Sequence, residues 1–340
     1  MQGGQPTSPS TLRPQQRRGR RLPDRVAIVL WAVVAILAAV ALMRVVAWDD
    51  FDVFAIVNCV TAFVYLPAWI VLVVAGLGRR FVLAGVALLV VIAQVSFMAP
   101  ELTATQALPG WVERAPTLRL MDANVFNENP SMAGYAREIS AVRPELLTME
   151  EATPTDVTQL DRSGVLRNLP YRFELYRYDP CALFIASRFP LLGTRVVWLY
   201  DRPLITETTL KAPWGLQALW VVHTTAPVPA SFSQWKGQLA LIGRLLRMRG
   251  PARLLIVGDF NADWGTRGFR NILAAGVVDA AAARGEAFEM TWSQVMPILP
   301  PFVRIDHVLT GPGLAVTRIR TEAGPGSDHR DLIATVAFHI

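Results

Sequence analysis

The spacing of apolar residues changes character once along the chain, near residue 100. Before that point hydrophobicity is nearly unbroken. Residues 26–48 (VAIVLWAVVAILAAVALMRVVAW, with Arg44 as the one charge), 53–75 (VFAIVNCVTAFVYLPAWIVLVVA) and 81–99 (FVLAGVALLVVIAQVSFMA) are parted only by DDFD and GLGRR. A helix rises about 1.5 Å per residue, so each stretch can cross a hydrocarbon core of about 30 Å. Three membrane-spanning helices are therefore expected, with Pro67 tolerated inside the second where neighbouring groups satisfy the freed carbonyl.

After residue 116 the runs shorten. Apolar or alternating segments at 118–124, 146–151, 171–178, 182–188, 196–200, 204–211, 216–224, 253–261, 305–310, 315–322 and 332–339 have the length and period of strands. Between them, 131–143 and 231–250 begin at a serine suited to N-capping and carry a helical period, and 269–275 is a third, shorter helix. Many short strands with a few covering helices predict an α/β sandwich of two sheets, helices outside. Residues 1–25, rich in Gln, Pro, Ser, Thr and Arg, read as a disordered basic tail, and 100–116 as a linker to a domain spanning 117–340.

Charge then orients the chain. Arg13, Arg17, Arg18, Arg20, Arg21 and Arg25 precede the first span and Arg79 and Arg80 follow the second, whereas the first loop holds Asp49, Asp50 and Asp52. The positive-inside rule puts the amino end in the cytoplasm, and three spans export everything after residue 100. A cleavable or twin-arginine signal is the rival reading of RRGRRLP, opposed by the two further spans. The net charge of +6 is mostly this topology signal: residues 1–116 carry 10 Lys+Arg against 6 Asp+Glu, the remainder 23 against 21. Near neutrality weakens a claim on long polyanions. Cys59 and Cys181, in a span and a strand, form no disulfide or metal pattern.

The chemistry is concentrated at strand ends. LLIVGDFNAD (254–263) runs apolar to Gly258, taken as the turning point, then delivers Asp259 and Asn261; Asp263 suits a turn or cap. Other strands end in Asn124, in Glu150 and Glu151, in His223 and in Asp306–His307, and Asp328 and His329 precede the last strand. Oxygen ligands with a histidine–carboxylate pair suit a hydrolase using a hard divalent cation. Asn127 fits either a turn or the site. His307 is left out as an outward-packing residue.

These segments resemble the endonuclease/exonuclease/phosphatase superfamily, the deoxyribonuclease-I-like group, across about 117–340. PELLTMEEA (144–152), SRFPL (187–191), GDFNA (258–262), TW (291–292), RIDHVL (304–309) and SDH (327–329) carry the likeness in type and order, Glu150 standing where the family has Gln. The resemblance implies a four-layer α/β/β/α sandwich and in-line attack of water on phosphorus. It makes Glu151, helped by Asn124 and Asp328, the ligands of Mg²⁺ (or Mn²⁺). Asp259 would orient or deprotonate the water, Asn261 would support it, and His329, paired with Asp306, would donate to phosphate together with His223. The expected substrate is a phosphoester outside the cytoplasm: a lipid head group, nucleic acid or small phosphoester. The apolar loop MPILPPF (296–302) would contact lipid or plug the fold. No obligate protein partner is evident beyond the bilayer, and the alternative reading is an inactive scaffold of the same fold.

Overall fold

The computed structural model describes residues 22–176, 182–294 and 300–340. The basic leader arginines up to Arg21, Cys181 and most of MPILPPF lie outside the described residues.

The apolar third forms helices α1 (Asp24–Val46), α2 (Asp52–Cys59), α3 (Thr61–Val64), α4 (Leu66–Leu77) and α5 (Phe81–Leu102). α1 and α5 are long and apolar enough to cross a membrane, whereas the middle segment is bent by 79° between α2 and the helices that follow. The expectation of three unbroken spans is thus corrected to two, plus a broken segment. The break falls at Val60, between α2 and α3. Pro67 sits in the first turn of α4, where its missing N–H costs nothing, and so starts a helix rather than interrupting one. Gln94 of α5 donates to the Ala62 carbonyl (2.9 Å) and accepts from the Trp69 indole (2.8 Å), satisfying backbone that the bend frees. Arg44 is likewise satisfied inside the bundle by Asn58 (3.1 Å) and Thr61, and lies over the Phe97 ring.

The middle segment nonetheless returns along the bundle. Its start lies at the sandwich, where Asp52 meets Lys236 (2.7 Å), and its end lies at the far pole, where the Gly78 carbonyl accepts from the Leu22 amide (3.1 Å). α1 and α5 both finish on the sandwich side.

The remainder contains β1 (Thr117–Asn124), α6 (Ala133–Val142), β2 (Leu146–Glu150), α7 (Pro154–Ser163), β3 (Tyr171–Leu175), β4 (Leu183–Ser187), β5 (Leu191–Leu199), β6 (Arg202–Ala212) and β7 (Gly215–His223). Then come α8 (Phe232–Arg249), β8 (Leu254–Asp259), α9 (Arg267–Leu273), β9 (Val278–Asp279), α10 (Ala280–Arg284), β10 (Asp306–Thr310), β11 (Leu314–Ala323) and β12 (Arg330–Phe338). One sheet has the order β11-β12-β1-β2-β4-β3 and the other β5-β6-β7-β8-β10-β9. β1–β2 and β7–β8 pair parallel; the remaining neighbours are antiparallel.

Side-chain alternation sorts the core into layers. Leu118, Leu120, Leu146, Leu219, Val221, Leu255, Val257 and Val308 fill the space between the sheets. Their odd-numbered or even-numbered neighbours face out: Met121, Leu147 and Phe184 pack under α6 and α7, while Trp220, Ile256 and Leu309 pack under α8 and α9. The four-layer arrangement expected from sequence is present. α7, with its Thr153–Asp156 capping box, and the short β9 and α10 were not anticipated.

Candidate active site

Following the inward parity of each strand to its end exposes the site. Inward positions begin apolar and turn polar toward the strand ends: Asp122 and Thr148 bond one another one inward step before Asn124 on β1 and Glu150 on β2, His223 and Asp259 close β7 and β8, and Asp306 opens β10. Register places them side by side: Asn124 opposite Glu150, and Asp259 between His223 and Asp306. Gly258 has an outward position within β8 and is not a turning point. Its φ of 125° and a neighbouring Val222 carbonyl only 2.1 Å from where a Cβ would sit show that close strand approach demands glycine there.

The eight residues singled out from sequence form one connected group. The Asn124 amide donates to Glu151 Oε1 and to Asp259 Oδ2, each at 3.2 Å. Glu151, in the left-handed region at φ 61°, also accepts from the Asn127 backbone N–H at 3.2 Å, so Asn127 contributes through its main chain. Asn261 donates its backbone N–H (2.7 Å) and side-chain amide (3.0 Å) to Asp259 and is itself held by the Thr224 carbonyl. His223 Nε2 lies 3.8 Å from Glu151 and 3.9 Å from Asp259. His329 Nδ1 pairs with Asp306 at 2.9 Å, leaving Nε2 4.0 Å from Asp259 and 3.9 Å from Asp328.

The set forms two lobes. Glu151 and Asn124 stand on one side of Asp259, whereas Asp328 stands beyond His329 and accepts from the Trp292 indole at 2.9 Å. Among the described residues, the His and carboxylate atoms close enough to share one cation, all within 4.8 Å, belong to Asp259, Asp306 and His329. Asp306 and His329 already satisfy one another. Glu151 and Asp328 both keep an edge on the cavity, Glu151 with an oxygen turned to Asn124 and His223, so hard-oxygen ligation of a divalent cation fits there.

Among the supporting residues, Thr291 and Ser327 fall inside the TW and SDH segments, whereas Arg202 and Phe126 carry no signal of their own in the sequence. Thr291 Oγ1 accepts the Ile305 and Asp306 amides (3.1 and 3.2 Å), and Ser327 Oγ ties the Asn124 carbonyl (2.6 Å) while accepting the His329 amide. Arg202, with Phe126, lines the cavity of about 590 Å³ above Asp259 and His329. Asp263 fills its expected turn role, accepting from the Gly265 amide at 2.8 Å. His307 packs outward as expected, onto the helix layer, where it is buried 3.0 Å from Asp279 and 2.9 Å from the Ala262 carbonyl. Phe302, the described end of MPILPPF, packs on Trp292 at the cavity edge.

Electrostatics separate the groups. Burial alone would lower the His329 pKa, but Asp306 beside it, then Asp259 and Asp328, push it up to about 10, so the ring is a cation at neutral pH. Burial lowers that of His223 and Glu151 opposes this, leaving a neutral ring. Burial, followed by Asp306, raises the Asp259 carboxyl well above the usual range, with the His329 cation pulling the other way. Burial also raises Asp122 to about 8 and Glu150 well above its ordinary value, so the residue replacing the family's glutamine is held toward its neutral form behind the site.

Known proteins share this two-sheet fold. The Endonuclease/Exonuclease/phosphatase family is matched over residues 123–329. Similar solved structures include truncated Caenorhabditis elegans TDP2 (16% identity, TM-score 0.53, covering 65% of this chain and 98% of that one). A 3'-5' exonuclease, NExo, from Neisseria meningitidis is also similar (16%, 0.54, 66% and 100%), as is an endonuclease/exonuclease/phosphatase from Beutenbergia cavernae (17%, 0.51, 65% and 72%). At these identities they show the fold. No curated protein sequence matches the chain.

Proposed function

This chain belongs to the endonuclease/exonuclease/phosphatase family, and from that premise we propose that it is a membrane-held phosphoester hydrolase that works outside the cytoplasm. The carrying observation is that Asp259 lies within 4.0 Å of Asn124, Asn261, His223 and His329 at the floor of one cavity. A hydrolytic water needs a carboxylate to orient it and a nearby cationic donor for the phosphate, and Asp259 and His329 supply both. Asn261 fixes the Asp259 carboxylate for that task. Asp306 keeps the His329 ring charged and directed, and His223 adds a neutral donor. Glu151, oriented by the Asn124 amide, would hold Mg²⁺ or Mn²⁺ together with Asp328 from the other lobe. When bound, such an ion neutralises charge on a non-bridging phosphate oxygen.

Two observations favour a lipid head group as substrate. The strand ends that carry the site are also the end joined to the bundle: residues 263–267, next after Asp259 and Asn261, touch Trp48 and Asp49. α8 meets the acidic loop at Lys236, while Ser231 and Gln234 of its first turns line the cavity. The return path of the bent segment supports an odd number of crossings, and with the arginine bias it supports an extracytoplasmic site. A carboxyl-terminal alkaline phosphatase fusion is expected to be active in cells; silence would overturn that placement.

The activity is tested on purified full-length protein with phospholipid vesicles, single-stranded DNA and bis(p-nitrophenyl) phosphate, in Mg²⁺, Mn²⁺ or EDTA. Metal-dependent release from lipid is expected, and no hydrolysis on any of these would overturn the reading.

A further inference from the structure

The junction between bundle and sandwich is built as tightly as a core. Glu101, in the last turn of α5, is buried, and its carboxylate accepts from Arg304, which is itself fully enclosed. Arg304 also donates to Asp279 Oδ2 (3.0 Å) and to the Ala287 carbonyl (3.0 Å). The same Asp279 oxygen faces His307 Nδ1, and His307 Nε2 reaches the Ala262 carbonyl. The Arg304 amide approaches Asp263 at 3.4 Å. Two short segments, 259–263 and 304–307, deliver Asp259, Asn261 and Asp306 to the cavity. Both are tied on their far side to this one group of charges.

From this arrangement we propose that Glu101 is a positioning residue for the site. By completing the charge around Arg304 it fixes the entry to β10, and so makes the membrane bundle a working part of the catalytic centre. The physical reason is that a water-free guanidinium needs its charge matched, and with its Nε–H already lacking a partner among the described residues Arg304 has no acceptor to spare. Asp279 is shared with His307, so it cannot serve Arg304 alone. Without Glu101 the guanidinium must shift or draw water inward, and residues 304–306 move with it. Asp306 and His329 then lose their alignment with Asp259. Misplacement of reacting groups by about 1 Å lowers turnover far more than it lowers binding. The kinetic consequence rests on the hydrolase reading; the structural one does not.

The test uses full-length protein in lipid nanodiscs and the variants Glu101→Gln, Glu101→Asp and, at the opposite pole of the bundle, Asp24→Asn. Amide hydrogen exchange is followed by mass spectrometry. Glu101→Gln is expected to speed exchange about tenfold or more in 302–309 and 260–266, with 171–175 and 183–187 unchanged. Glu101→Asp should fall between it and wild type, and Asp24→Asn should match wild type. On bis(p-nitrophenyl) phosphate, kcat of Glu101→Gln should fall roughly 10- to 100-fold with KM little changed. Exchange that is unaltered in 302–309, or raised equally everywhere, overturns the proposal, as does an unchanged kcat. Should Glu101→Gln not fold, Glu101→Asp is judged by the same local criterion. If wild type hydrolyses nothing, the hydrolase reading fails and the exchange pattern alone decides.

Discussion

β10 separates two buried histidine–aspartate pairs. On its inward face Asp306 holds His329; on its outward face His307 meets Asp279. They differ in what the second ring nitrogen does. His307 is closed, Nδ1 to Asp279 and Nε2 to a backbone carbonyl, with Arg304 balancing the carboxylate. His329 is open: among the described residues only Nδ1 is hydrogen-bonded, and Nε2 looks into the cavity toward Asp259 and Asp328. A histidine whose two nitrogens are satisfied by protein supports the fold, whereas one held by a single carboxylate and aimed at space is available for chemistry. Residue type and local sequence are alike, and only the face of the strand distinguishes them.

Substitution should split the pairs most widely. Asp259→Asn and His329→Ala are expected to lower kcat about 10²- to 10⁴-fold with the melting temperature nearly kept. Asp279→Ala should differ by its cost in stability. It leaves Arg304 under-compensated, lowering stability by about 3–5 kcal/mol in chemical denaturation, while protein that remains folded loses no more turnover than Glu101→Gln, which strips the same guanidinium of its other carboxylate. A large loss of activity without destabilisation in Asp279→Ala would break the distinction.

The two pairs should also fail at opposite ends of the pH scale. His329 is raised above its unfolded value of about 6.5. Its contribution to stability is therefore complete below that pH and is lost as pH rises through about 10. Turnover should share that alkaline limb, and Asp306→Asn should move the limb toward neutrality. Burial would raise Asp279, but Arg304 and then His307 hold it well below the usual range, so its contribution is present above about 3.9 and is lost in acid. Denaturation followed from pH 3 to 10.5 in wild type and the two variants checks both signs.

Gly258 sharpens the contrast by locating the constraint in backbone. Gly258→Ala should destabilise by about 1–3 kcal/mol, because its φ and the Val222 carbonyl leave no room for a methyl group. The smallest effect is expected for Trp292→Phe, which removes one hydrogen bond to Asp328: a kcat change of roughly tenfold or less, corresponding to about 0.5–1.5 kcal/mol.

What could be read from the chain follows the same division. Period-2 alternation carries Leu255, Val257 and Asp259 onto one face, so the inward polar ends of β7, β8 and β10 are legible; Glu151, Asn261, Asp328 and His329 lie in turns beyond the strands, where residue type and the family resemblance, not alternation, single them out. The same parity puts His307 on the face opposite Asp306; what it could not give was the cover, because α9, the short β9 and α10 that enclose that face carry weak local signals. Glu101 was hidden for a similar reason. Its partner Arg304 lies about two hundred residues away, and nothing local marks a buried ion pair. The second span differs from expectation because composition measures apolarity and not continuity: the 79° bend falls at Val60, where no proline or glycine marks it in the sequence.

The most direct test of the site is single-turnover hydrolysis of bis(p-nitrophenyl) phosphate by the full-length protein in H₂¹⁸O with Mg²⁺, read by mass spectrometry of the phosphomonoester. Water attack directed by Asp259 and His329 predicts one ¹⁸O in each product molecule from wild type and a loss of product of about 10²-fold or more in Asp259→Asn. Product lacking the label, or formed equally well by Asp259→Asn, would contradict the account.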